Sequence, residues 1–287
     1  MRYISGLVFI CCISVAVAAT PQIAAEYPQR IIALAPHITE LLYAAGAGEQ
    51  LIAVSDYSDY PAAALKLPQV ASYQGINLEA VLALKPDLIV AWRQGAATSE
   101  LKRLQQMGVQ VVYSDPQTPD DIAAELQQLG ELTGHARYAT EQAQLLRQQW
   151  QQLKTSYSDQ TPVRVFFAMD TDLLTTVAGN SMVQQILTLC AAENPFAGQS
   201  NDYPRAALEQ VLVSQPQLII QAGSATTPAD FSYWQKFEVL PAVRKQQFLA
   251  VNADHLYRMT PRTLLAAQTV CEGVDKIRKT SLQAGSD

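Results

Sequence analysis

Histidine, cysteine and clustered positive charge are all scarce in this chain. It holds three histidines, His37, His135 and His255, and none of them are close in sequence. A metal site built by protein alone normally needs three or four ligands, so a metal carrier is a weak reading. The motifs of common enzymes are missing as well. There is no G-x-S-x-G elbow, no G-x-x-x-x-G-K-[ST] loop, no H-E-x-x-H and no G-x-G-x-x-G after the first strand. The net charge is −6 and no basic cluster stands out, which argues against nucleic acid and anionic membranes as partners. Beyond the first residues no apolar run reaches about 18, so no membrane span is expected.

Those first residues read as a targeting segment. Met1-Arg2 is a short positive start, residues 4–17 are apolar, and Ala16-Val17-Ala18 is a small-x-small cleavage signal. A secretory signal peptide is therefore expected over 1–19. Cys11 and Cys12 lie inside it behind bulky Phe9 and Ile10, which speaks against a lipid anchor. Its removal leaves Cys190 and Cys271. In an oxidising compartment such a pair most often forms one structural disulfide, the alternative being two buried thiols.

What the chain does have is a duplication. Residues 73–90 read YQGINLEAVLALKPDLIV, and residues 203–220 read YPRAALEQVLVSQPQLII. Eight of the eighteen positions are identical, where ordinary composition would give roughly one. A duplicated unit implies two similar lobes, and two facing lobes make a cleft. The repeat also sets Glu79 and Glu209 at matching points, one per lobe.

Strand and helix patterns alternate in both halves. Short β-rich runs at 31–34, 51–55, 88–92 and 109–113 end in turn chemistry, with helical patterns at 39–47, 78–84 and 99–107 between them. Thr39 is a candidate N-cap, and Gly108 a helix stop. The second half repeats the scheme with strands near 163–168, 174–177, 218–222 and 248–252, and helices near 181–190, 205–213 and 261–280. Between the halves, residues 135–158 lack Gly and Pro and carry apolar residues at helical spacing. A helix of that length, about 35 Å, would serve as a stiff strut. The fold class expected is α/β: two doubly wound Rossmann-like lobes with mostly parallel sheets, joined by one long connecting helix. Its divisions are 1–19 signal peptide, 28–134 N-terminal lobe, 135–160 connecting helix and 161–281 C-terminal lobe.

In parallel α/β sheets ligands gather outside the carboxyl ends of the strands. Those ends are rich in aromatics here: Tyr57, Tyr60, Tyr73 and Trp92 in one half, Tyr203 and Tyr257 in the other. Aromatic faces with sparse polar groups suit a bulky, flat, partly apolar ligand. His37, after Pro36, and His255 also follow strands; each either faces the cleft or only caps a turn.

The stretches LAPHITELLYAAGA (34–47), VSDYSDYP (54–61), INLEAVLALKPDLIVAW (76–92) and RMTPRTLLAAQTVC (258–271) resemble the periplasmic vitamin B12-binding proteins of ABC importers. The resemblance runs from about residue 30 to 279. It implies a monomeric periplasmic protein, with no catalysis and no resident cofactor or metal, that carries cobalamin as transported ligand. Its partners would be a permease dimer and its ATPase subunits. It further implies ligand contacts at Pro36, His37, Tyr57, Tyr73, Trp92, Tyr203 and the segment Asp254, His255, Leu256, Tyr257 and Arg258. Glu79 and Glu209 match transporter-docking glutamates, and Cys190 and Cys271 match a family disulfide. The chain departs from the pattern too. Tyr73 and Tyr203 stand where tryptophans are usual, an aromatic expected near 174–176 is missing, and His37 and His255 replace a small or amide residue and an aromatic. A haem or iron-siderophore carrier is the alternative within the class, with Arg93, Arg205, Arg258 and Arg262 as candidate anion contacts. A periplasmic enzyme or metal chaperone using His37, His255 and Asp254 is the alternative outside it.

Overall fold

The computed structural model describes residues 27–95 and 98–283; the expected signal peptide lies outside them. In the first lobe the elements run β1 (Ile31–Ala33), α1 (Pro36–Ala44), β2 (Leu51–Ser55), β3 (Gln69–Ser72), β4 (Gly75–Ile76), α2 (Leu78–Ala83), β5 (Leu88–Trp92), α3 (Thr98–Gln106), β6 (Gln110–Ser114) and α4 (Pro119–Thr133). Its sheet has the order β4-β3-β2-β1-β5-β6, parallel except for the short edge strand β4. The central strands explain the parallel arrangement. Ile31, Ile32 and Ala33 of β1 and Leu88, Ile89 and Val90 of β5 are wholly buried, the continuous apolar run that a sheet covered on both faces requires.

After α5 (Ala136–Tyr157), the second lobe runs β7 (Val163–Ala168), α6 (Met182–Leu189), β8 (Ala192–Glu193), α7 (Leu208–Ser214), β9 (Leu218–Gly223), α8 (Pro241–Arg244), β10 (Phe248–Asn252), α9 (Ala253–Tyr257) and α10 (Thr263–Gln283). Its sheet, β10-β9-β7-β8, is parallel throughout. The duplication survives in backbone detail. α2 and α7 each lead through a left-handed residue, Lys85 (φ 48°) and Gln215 (φ 47°), into Pro86 and Pro216 and then a central strand. The residue before a proline is barred from the right-handed helical region, so both helices must stop there.

Some local expectations change. α1 starts at Pro36, not after Thr39. A proline's fixed φ suits the first helical position, so Ala35 becomes the N-cap. Thr39 is buried inside the helix, its hydroxyl donating to Ser58 Oγ at 3.0 Å. Residues 174–177 form no strand; Thr175 makes only an isolated bridge to Arg205. α4 had no counterpart in the pattern reading, yet its start carries a capping box. Asp121 N–H donates to Thr118 Oγ1 at 3.1 Å, and Thr118 N–H donates to the Asp121 carboxylate at 2.9 Å.

α4 and α5 form an antiparallel pair closed by Gly134, whose φ of 85° ends α4. They approach so closely that a Cβ on Gly130 would lie 2.1 Å from the Cβ of Ala139. α5 is therefore packed along the molecule rather than standing free as a rod. Its buried face, Ala139, Ala143, Leu146 and Trp150, belongs to one core that runs from Ile31 and Leu42 in the first lobe to Phe167 and Val274 in the second. Cys190, the C-cap of α6, is disulfide-bonded to Cys271 in α10, and both are fully buried. Closing a loop across their sequence separation of 81 stabilises the lobe by about 4.5 kcal/mol on the chain-entropy account. No helix among the described residues is long and apolar enough to cross a membrane.

Candidate functional site

The carboxyl ends of β1, β2, β5, β6, β7 and β10 line two adjoining hollows. The larger, about 500 Å³, lies between the lobes. Its first wall is Pro36, His37, Trp92, Gln94 and Gln117; its second is Met169, Met182, Asp202, Tyr203, Tyr257 and Arg258. The smaller, about 350 Å³, sits on the first lobe and adds Asp56, Tyr57 and Tyr73. Ala35, Pro36, Trp92 and Gln94 border both, so they make one continuous cleft. Pro36 and His37 follow β1 and Trp92 ends β5, neighbouring strands at the point where the chain's path across the sheet reverses. That is where an open α/β sheet leaves its crevice.

Tyr57, Tyr73, Trp92, Tyr203 and Tyr257 are all exposed, Tyr73 by 81% and Tyr57 by 71%. Large aromatic area left in water at one place marks a binding surface. Tyr57 holds a left-handed backbone (φ 56°), a conformation that costs a non-glycine residue roughly 1–2 kcal/mol. The first wall is braced from behind. Asp115 Oδ1 accepts from Trp92 Nε1 at 3.3 Å, Gln94 Nε2 at 3.0 Å and Gln117 Nε2 at 2.9 Å. The His37 ring meets Trp92 edge-on at 5.9 Å, and its Nε2 lies 3.4 Å from Ser114 Oγ. Ser114 donates in turn to Glu125, which also accepts the Asp115 N–H at 2.7 Å. Burial lowers the His37 pKa to about 4, with the charge of Asp115 pulling the other way. The imidazole is therefore neutral at ordinary pH. In the second wall, the partial burial of Tyr203 and Tyr257, each still more than a third exposed, raises both phenols above the usual tyrosine range, so both stay neutral donors.

Not every expected contact reaches the cleft. Leu256 is wholly buried in the core between β10 and α10, so its side chain cannot meet a ligand there. Asp254 and His255 are half-buried off the lining; the Asp254 carboxylate pairs with Arg258 at 2.9 Å. Burial, then the positive charge of Arg262, lowers the His255 pKa. Arg258 does reach the cleft, but its guanidinium is held by Glu40 at 3.1 Å and Asp59 at 2.6 Å from the first lobe. Of the other arginines considered as anion contacts, Arg262 is bound to Glu40 and lies 4.0 Å over the Tyr60 ring, and Arg93 and Arg205 do not line the cleft. Among the described residues no three His, Cys, Asp or Glu side chains gather as a metal site. The residues that pattern reading missed are the braces: Glu40, Asp59, Asp115 and Glu125. Asp59, in the Asp-Tyr-Ser-Asp turn after β2, and Asp115, just past a strand end and before Pro116, carried a local signal; Glu40 and Glu125 did not.

Glu79 and Glu209 lie outside the cleft, exposed on the first turns of α2 and α7. Neither takes part in an ion pair among the described residues.

A family described as "Periplasmic binding protein" matches residues 31–262. A protein of Pectobacterium atrosepticum named "Vitamin B12-binding protein" is 44% identical over 257 residues, covering 88% of this chain and 90% of its own. The crystal structure of the periplasmic vitamin B12 binding protein BtuF of Vibrio cholerae superposes with a TM-score of 0.78 at 41% identity, over 88% of this chain and 98% of that one. The periplasmic haem binding protein HutB of Vibrio cholerae shares the fold, with a TM-score of 0.74 at 22% identity over 85% and 98% of the two chains.

Proposed function

The chain belongs to the periplasmic binding protein family, and from that premise we propose that it captures cobalamin between its lobes and hands it to an inner-membrane ABC importer. The observation that carries this reading is the cleft itself. Exposed aromatics from both lobes face one hollow, where Trp92, Gln94, Gln117 and Arg258 are held by carboxylates behind them, and relatives above 40% identity are named for vitamin B12 binding. Such a lining favours a broad, flat, largely apolar ligand. The work is capture, not chemistry: Ser114, the hydroxyl beside His37, is buried and donates to Glu125.

Pro36, His37, Tyr57, Tyr73, Trp92, Tyr203, Tyr257 and Arg258 are the proposed contacts, with Asp254 acting through Arg258 and His255 at the rim. Glu79 and Glu209 are the proposed docking points for a two-fold symmetric permease, whose ATPase subunits would drive release. The lobes are taken as 28–134 and 161–281, with 135–160 as the connecting helix, in a monomer resident in the periplasm. Isothermal titration with cyanocobalamin, cobinamide and haemin side by side tests the reading. Cyanocobalamin is expected to bind tightest. Haemin binding while both corrinoids fail would replace it with the haem alternative.

A further inference from the structure

The charges around Arg258 do more than hold two lobes together. Arg258 is the only Arg or Lys among the described residues lining the cleft. It is surrounded by three carboxylates: Glu40 at 3.1 Å, Asp59 at 2.6 Å and Asp254 at 2.9 Å. The second cation of the cluster, Arg262, is bound to both oxygens of Glu40. Glu40 is buried to within 2% of its side-chain surface, so it is held there only because it is fully paired. Two guanidiniums thus face three carboxylates, and Asp56 and Asp202 add two more on the lining itself. A ligand entering this hollow meets no cation free to receive an anion. It meets amide and phenol groups and an excess of negative charge.

We propose that Glu40 and Asp59 are specificity-determining residues: by compensating Arg258 and Arg262 completely, they make the cleft select macrocycles edged with neutral amides and reject those edged with ionised carboxylates. The inference rests on the corrinoid reading and adds the physical basis of its selectivity against haem and siderophore chelates. Like charges brought together in a partly dehydrated cleft repel far more than in bulk water, because the effective dielectric is lower. A ligand that differs only in edge charge therefore isolates the effect.

Cyanocobalamin and its dicarboxylic acid derivative, in which two peripheral propionamides are hydrolysed to propionates, form such a pair. The wild-type protein is expected to bind the dicarboxylate at least about tenfold more weakly than cyanocobalamin, a gap on the order of 1.4 kcal/mol. Asp59→Asn keeps the side-chain shape and releases Arg258 from one carboxylate. It is expected to narrow the gap to below about threefold, with Glu40→Gln acting in the same direction. The gap in wild-type protein should also shrink as ionic strength rises from about 0.01 M to about 1 M, where the screening length falls from about 30 Å to about 3 Å. That salt series decides alone if the variants do not fold. Equal affinities in wild-type protein would overturn the proposal. So would a gap unmoved by both salt and a folded Asp59→Asn variant, which would mark exclusion by shape. Failure of both corrinoids to bind would instead overturn the function from which the proposal proceeds.

Discussion

His37 shows what burial does to one side chain. In the unfolded chain its imidazole titrates at its ordinary value of 6.5, whereas in the fold it holds out to about 4. The unfolded state therefore binds the proton first, and stability falls as pH drops through 6.5 toward 4. The loss between about pH 7 and about pH 5 is on the order of 1–2 kcal/mol. His37→Gln, which cannot be protonated there, should lose less melting temperature than wild-type protein across that interval. Equal losses would mean that the ring takes up its proton freely inside the fold. The position of His37 at a strand end was legible from the Pro36 before it and the turn chemistry around it. Its neutrality was not, because that comes from burial among groups such as Trp92 that only the fold brings to it.

At the scale of elements, α2 and α7 carry the duplication. Glu79 and Glu209 sit in the first turn of each, where a carboxylate offsets the helix dipole by about 0.3–1 kcal/mol. Both side chains are exposed and outside any ion pair among the described residues. A double substitution, Glu79→Ala with Glu209→Ala, should leave cobalamin affinity within about twofold, since complementary surface charge mainly sets orientation and encounter rate. Uptake in a reconstituted transporter should fall sharply. Wild-type uptake by the folded double variant would remove the docking role. The matched pair was readable from the repeat alone. α4 escaped pattern reading although its Thr118-Pro119-Asp120-Asp121 start is a strong local signal; its apolar stripe faces α5, a partner known only once the chain is folded.

For the whole molecule, the decisive feature is the unbroken core through α5. A hinge that swings two domains needs an interface that can part, and here Leu126, Leu146, Trp150 and Phe167 belong to one packed cluster. The Glu40–Arg258 and Glu40–Arg262 pairs tie the lobes again beside the cleft. Small-angle scattering should find free and cobalamin-bound radii of gyration, about 19 Å for this length, within about 0.5 Å of each other. A compaction of several ångström would show that the shared core opens.

Sequence by itself determined the periodic and the local: alternating strands and helices, the duplicated unit, the long helix between the lobes, the cysteine pair and the aromatics at strand ends. Each follows from spacing or from immediate neighbours, because backbone geometry fixes which residues share a face over a few turns or strands. Tertiary structure alone decided which of those residues meet. It buried Leu256 beneath the cleft, moved the start of α1 to Pro36, and brought Glu40 within reach of two arginines 218 and 222 positions away. No local pattern encodes such pairings, since they depend on how two sheets come to share one core.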